Sequence, residues 1–230
     1  MDRLLIEDLK IWKDKSDRKP LILRGARQVG KTWLLKDFGE KCFKDICYVN
    51  FEQKDMLGKI FEGTLSPQRI IEQLSVFHGK KIQPQETLLI FDEVQELPRA
   101  LTSLKYFAEE APEYAICCAG SLLGVALHEG TSFPVGKVDF LDLYPLSFRE
   151  FLMANDEQML VDYIMSGNRD LKVFEEKLID YLKKYFIIGG MPAAILKWLD
   201  THDFFEVDDV QKQILSAYTN DFSKHAPRQL

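Results

Sequence analysis

Long hydrophobic runs are missing from this 230-residue chain, and their absence sets the first bound. Its apolar stretches fall far short of the roughly 20 residues that a membrane-spanning helix needs. A secretory leader pattern is missing too, since Asp2 and Arg3 run straight into an amphipathic segment. The expectation is a soluble, cytoplasmic protein with no membrane partner. An excess of basic charge is also lacking: 30 Lys and Arg stand against 36 Asp and Glu, a net charge of −6. This argues against a protein that coats nucleic acid, and it leaves DNA contact through a local basic patch open. Cysteines are few, at positions 42, 47, 117 and 118, and no pair has the two-residue spacing of a zinc knuckle. Small buried thiols in a reducing compartment are expected. The four histidines are scattered without a second ligand at i+3 or i+4, so no metal role is assigned to them.

What is present is a globular composition, with 46% apolar and 29% charged residues. The segment "LLIEDLKIW" places Leu5, Leu9 and Trp12 on one helical face. "LILRG" reads as a buried strand, and "KTWLLKDFGEKCF" as a helix with Trp33, Leu34, Phe38 and Phe43 mostly on one side. "ICYVNFE" is a second strand. "SPQRIIEQLSVFHGKK" is a helix with Ser66 as cap, Pro67 in the first turn and Gly79 at its end. "TLLIFDE", "YAICCAGS" and "VDFLDLYPLS" complete five strands, separated by helical patterns such as "LTSLKYFAEE". Continuous apolar strands alternating with helices predict an α/β fold, a mostly parallel sheet covered on both faces. From "SFREFLMA" onward only helical patterns follow. The expected division is an α/β core over 1–147 and an all-α domain over 148–230. The ending "HAPRQL" has no closing element and suggests a piece of something longer.

The most informative stretch is "LILRGARQVGKTWLL". Gly25, Gly30, Lys31 and Thr32 fit G-x-x-x-x-G-K-[ST] between a strand and a helix, the pattern of a phosphate-binding loop. Glycine permits the curl that turns successive backbone amides toward one phosphate, and the helix presents its positive end to the same anion. The expected nucleotide contacts are Gly25, Ala26, Arg27, Gln28, Val29, Gly30, Lys31, Thr32 and Trp33. Lys31 is expected on the β and γ phosphates, and the Thr32 hydroxyl on Mg²⁺. "LLIFDE" ends in Asp92 and Glu93. At a strand end facing the same crevice, Asp92 can hold Mg²⁺ and Glu93 can polarise and deprotonate an attacking water. A third strand ends at Ser121, whose hydroxyl can sense the γ-phosphate or cap the next helix. The N-K-x-D guanine motif of GTPases is absent, since "NFEQKD" does not match it. ATP is therefore the expected nucleotide.

"GARQVGKT", "LLIFDEVQ", "AGSLLG", "FPVGKVDFLDLYPLSFREFL" and "GGMPAAI" occur in that order. In this the chain resembles a bacterial and archaeal group of AAA-type P-loop ATPases labelled AAA_14, which often carry a C-terminal DUF4143 domain and look related to the STAND signalling ATPases. The resemblance implies a P-loop core with strand order 5-1-4-3-2 and a helical lid after it. It also implies an adenine contact at Pro192, with Gly189 and Gly190 shaping the turn; a helix end followed by proline is the plainer account of those residues. Lys137 stands where the family usually has arginine. Lys137 and Arg27 are candidate basic groups for completing the site or, equally, solvated charges. The DUF4143 domain is missing from the expected pattern.

Two functions fit these residues. One is Mg-dependent ATP hydrolysis coupled to motion of the lid. The other is a switch with negligible turnover, in which ATP or ADP sets binding to a protein or DNA partner, or self-association. A small-molecule kinase fits less well, because it does not need a water-activating Glu93 at this place.

Overall fold

The computed structural model describes residues 1–52, 54–120, 134, 136–167 and 171–225. The chain divides into two compact units: Leu4–Ala26 with Gly30–Leu143, and Tyr144–Leu230 with Met1–Arg3 and Arg27–Val29.

The first unit is built on five parallel strands, β1 (Leu21–Arg24), β2 (Asp45–Asn50), β3 (Thr87–Asp92), β4 (Ala115–Ala119) and β5 (Asp139–Asp142). Their order across the sheet is β2-β3-β4-β1-β5, the expected 5-1-4-3-2 read from the other edge. The register sets Ile22 beside Cys118 and Asn50 beside Asp92. Parallel strands joined through helices are covered on both faces, which is why Thr87–Asp92 and Ala115–Ala119 are buried without alternation. The neighbouring Cys117 and Cys118 point to opposite faces, and both are fully buried.

The helices of this unit are α1 (Ile6–Asp14), α2 (Lys31–Cys42), α3 (Lys54–Ile60), α4 (Pro67–His78) and α5 (Pro98–Glu110). In α2, Leu34 and Phe38 face the core as expected, but Trp33 turns outward and is 45% exposed. In α4, Ser66 stands at the cap position with an extended backbone, yet its hydroxyl makes no capping bond. Arg69 instead ties the preceding turn, donating to the carbonyls of Ile60, Glu62 and Thr64 at 2.6–2.9 Å. Phe51, Phe61 and Phe91 meet edge to face, with centroids 5.4–5.9 Å apart, at the heart of the core.

The α-helices described in the second unit are α6 (Phe148–Ala154), α7 (Gln158–Met165), α8 (Glu175–Ile188), α9 (Pro192–Thr201) and α10 (Phe204–His225). Its core gathers Phe151, Ile188, Ala194, Ile195, Trp198 and Val207. The "SFRE" at 147–150 is a capping box: Glu150 N–H donates to Ser147 Oγ at 3.3 Å, and Ser147 N–H donates to Glu150 Oε2 at 2.8 Å. Leu146 is fixed through its backbone, its N–H on the Gly190 carbonyl and its carbonyl taken by the Tyr185 hydroxyl, both at 2.7 Å. A Cβ on Gly190 would lie 2.3 Å from the Leu146 oxygen, so only glycine fits there. Among the described residues, no helix is long and apolar enough to cross a membrane.

Candidate functional site

The site grows from the turn between β1 and α2. β1 enters the sheet between β4 and β5, and its end delivers Gly25 into buried surroundings. Gln28 takes a left-handed conformation at φ 65°, and Gly30 does so at φ 93° as the residue before the helix. Glycine at 30 is what lets the chain leave the turn and start α2 at Lys31 without a Cβ clash. The first turn of α2 holds no acidic residue, so the positive end of this 12-residue helix is uncompensated by side chains there. Lys31 folds over the turn and donates to the carbonyls of Gly25 at 3.0 Å and Ala26 at 2.8 Å.

Thr32 reaches across to β3. Its hydroxyl donates to Asp92 Oδ2 at 2.9 Å, joining two motifs 60 residues apart. Asp92 is 6% exposed and accepts two further bonds: the Tyr48 hydroxyl at 2.7 Å on Oδ2, and the Glu93 amide at 3.1 Å on Oδ1. Burial, and then the bond to Asp92, push the Tyr48 phenol well above its ordinary value. Tyr48 thus stays a donor throughout the working pH range and orients Asp92. Lys36 Nζ lies 3.9 Å from the Tyr48 ring centroid, so a cation covers the outer side of that ring.

Glu93 follows directly, in a left-handed conformation (φ 50°) that non-glycine residues rarely take. Its carboxylate accepts from the Gln95 side-chain amide, which sits in the 3₁₀ turn Val94–Glu96. At the other side of β1, Arg24 grips Asp142 with two parallel bonds of 2.8 and 2.7 Å across the β1–β5 register, and its guanidinium covers Phe140.

The expected residues therefore divide. Gly25, Ala26, Gly30, Lys31 and Thr32 belong to the first unit, and Thr32 bonds Asp92 at the end of β3, with Glu93 next in the chain. Arg27, Gln28 and Val29 count with the second unit, where Arg3 donates to the Val29 carbonyl and the Tyr218 hydroxyl to the Arg27 carbonyl. Trp33 is on the exposed side of α2. Pro192 occupies the first turn of α9 behind Met191, in the second unit. Lys137 is ion-paired with Glu109 at 2.9 Å. Ser121 lies outside the described residues.

Tyr48, Gln95, Arg24 and Asp142 were not singled out from the sequence. Tyr48 reads there as one more apolar strand residue, although a hydroxyl three positions into a buried strand must find a partner, and that is a usable signal.

Among the described residues, no three His, Cys, Asp or Glu side chains converge on a metal-sized space. A metal held through phosphate needs no such cage. The donor set at Thr32 and Asp92, a hydroxyl and a carboxylate oxygen in contact, consists of hard oxygens and fits Mg²⁺.

Among curated proteins, no relative matches the chain. Among solved structures, Caenorhabditis elegans PCH-2 superposes with a TM-score of 0.49 at 15% identity, covering 91% of this chain and 66% of that one. Drosophila ORC bound to DNA gives 0.47 at 15%, covering 97% and 67%. AMPPCP-bound DnaA from Aquifex aeolicus gives 0.42 at 16%, covering 87% and 64%. The chain thus spans about two thirds of the length of these three. Residues 179–230 match a domain of unknown function, DUF8612. Residues 17–152, more than half of the sequence and all five strands, match AAA_14, an AAA domain, and the chain belongs to that family.

Proposed function

We propose that this chain binds Mg-ATP on the Gly25–Thr32 turn and hydrolyses it. The observation that carries the reading is the 2.9 Å bond between Thr32 and Asp92, with Glu93 next in the chain. It joins the helix that follows the phosphate-type turn to the acidic end of β3, and family membership supports the same reading. Thr32 and Asp92 would hold Mg²⁺, which would supply charge neutralisation on the phosphate oxygens. Lys31 leaves the carbonyls of Gly25 and Ala26 for the β and γ phosphates, exchanging two neutral acceptors for charged ones. Glu93 takes the proton of a water that attacks the γ-phosphorus while the bond to the ADP oxygen breaks. Ser121 senses the γ-phosphate and Pro192 packs near the adenine, with residues 148–230 acting as a lid over a core of 1–147. Hydrolysis changes what the lid touches and so moves it.

Glu93→Gln tests this. The carboxamide keeps the shape and loses the base, so ATP affinity should persist while turnover falls on the order of 10²–10⁴-fold. Unchanged phosphate release in that variant removes Glu93 from the chemistry. A second reading, a nucleotide switch with negligible turnover, is favoured by one observation: the Gln95 amide already occupies the Glu93 carboxylate. Single-turnover phosphate release separates the two, and a rate equal to spontaneous decay selects the switch.

A further inference from the structure

A phosphate-binding turn works only if its amides point inward, and an amide's direction is set by the carbonyl of the same peptide. In a planar trans peptide the C=O of one residue and the N–H of the next point opposite ways. No peptide among the described residues is cis. Whatever holds the Val29 carbonyl therefore aims the Gly30 amide, and whatever holds the Arg27 carbonyl aims the Gln28 amide.

Both carbonyls are held, by residues outside the motif. Arg3, 5% exposed, spreads its guanidinium over three acceptors: the Val29 carbonyl at 2.8 Å, the Tyr144 carbonyl at 2.6 Å and Glu150 Oε1 at 3.0 Å. Glu150 is 6% exposed and is itself oriented by the capping box with Ser147. Arg3's charge is thus answered locally, so its role is direction rather than attraction for an anion. The planar fork suits this task, because a lysine ammonium has neither the reach nor the fixed angles to serve all three acceptors. The Tyr218 hydroxyl, from α10, donates to the Arg27 carbonyl at 2.6 Å. Arg3 lies before the AAA_14 match at 17–152, and Tyr218 lies after it, inside the DUF8612 match.

We infer that Arg3, braced by Glu150, and Tyr218 are positioning residues that preset the phosphate turn, Arg3 aiming the Gly30 amide and Tyr218 the Gln28 amide. That the preset amides receive a nucleotide rests on the function proposed above; that they are preset does not. Loss of either hold lets its peptide rotate, and nucleotide binding must then restore the order.

The test uses the full chain with Tyr218→Phe and Arg3→Lys. Trypsin cleaves after the exposed Arg27, and cleavage requires the carbonyl that Tyr218 holds. Without nucleotide, cleavage at Arg27–Gln28 should rise roughly tenfold in Tyr218→Phe relative to a site elsewhere in the chain, the change expected for a lost bond of this kind, while Arg3→Lys, which acts on the Val29–Gly30 peptide, is read by affinity. Calorimetry with MgADP should show affinity weakened by a similar factor. Arg3→Lys disturbs a buried pair, so each melting temperature is measured alongside; if Arg3→Lys melts early, Tyr218→Phe, which removes one oxygen from a partly exposed ring, decides. Wild-type cleavage and wild-type affinity in Tyr218→Phe overturn the inference. Faster cleavage in a protein whose wild type binds no MgADP supports the positioning and refutes the proposed function.

Discussion

In the α/β unit the inner strands are sealed on both faces: Leu21–Leu23, Leu88–Phe91 and Ala115–Ala119 are all buried, and the polar contacts of the candidate site gather where those strands end. In the helical unit the balance is different. Phe186 and Phe205 are 76% and 84% exposed, and the corner from Tyr144 to Phe151 is fixed by the Arg3–Glu150 pair, a capping box and two bonds to the Leu146 backbone. Apolar burial is non-directional and tolerates change of shape better than a fixed polar corner does. The first unit should therefore lose stability in proportion to the volume removed, and the second at particular atoms.

Four changes test that contrast, from the largest effect to the smallest. Phe91→Ala empties the centre of the Phe51–Phe61–Phe91 cluster and should cost about 3–5 kcal/mol in chemical denaturation. A loss below that of an exposed phenylalanine would show that the sheet does not carry the first unit. Gly190→Ala adds one methyl group where the Leu146 backbone leaves 2.3 Å, and it should cost roughly 1–3 kcal/mol. A melting temperature equal to wild type would break the picture of a rigid corner. Tyr48→Phe removes the second donor on Asp92 Oδ2 and leaves the ring; Mg-ATP affinity should fall about tenfold by titration while the melting temperature barely moves. A large thermal loss would make Tyr48 structural rather than part of the site. Asp45 gives the smallest effect. Its bond to His78, then that to Lys80, holds the carboxyl below its ordinary value of 3.8. That contribution is present above the unfolded value and is lost as pH falls through the lower folded one, so Asp45→Asn should flatten the stability curve only below about pH 4.

The strand–turn–helix at 21–42 and the five-strand alternation were legible because each depends on neighbours in sequence. Spacing alone placed Gly30 where a left-handed residue was required, and buried parallel strands announce themselves as unbroken apolar runs. What stayed hidden depends on partners far along the chain. The bond from Tyr48 spans 44 residues, and the ion pair from Arg3 spans 147. Ser66 had the right identity for a cap, but Arg69 took over the turn. Trp33 followed hydrophobicity inward in the sequence and turned out to face solvent, since Leu34, Leu35 and Phe38 already fill that side of α2. The capping box at 147–150 is readable from its S-x-x-E spacing.

The adjacent thiols of β4 give the α/β unit a built-in clock. Cys117 and Cys118 are 0% exposed and burial raises both well above the ordinary thiol range; Cys47 is pushed up to about 12. Only the thiolate attacks an alkylating reagent, so these sulfurs react when the sheet opens and not before. Cys42, at the end of α2 and only partly covered, reports on the helix end instead. Mass spectrometry of a pulse-alkylated sample can therefore time the opening of the central sheet separately from fraying at its margin, with no label added to the chain.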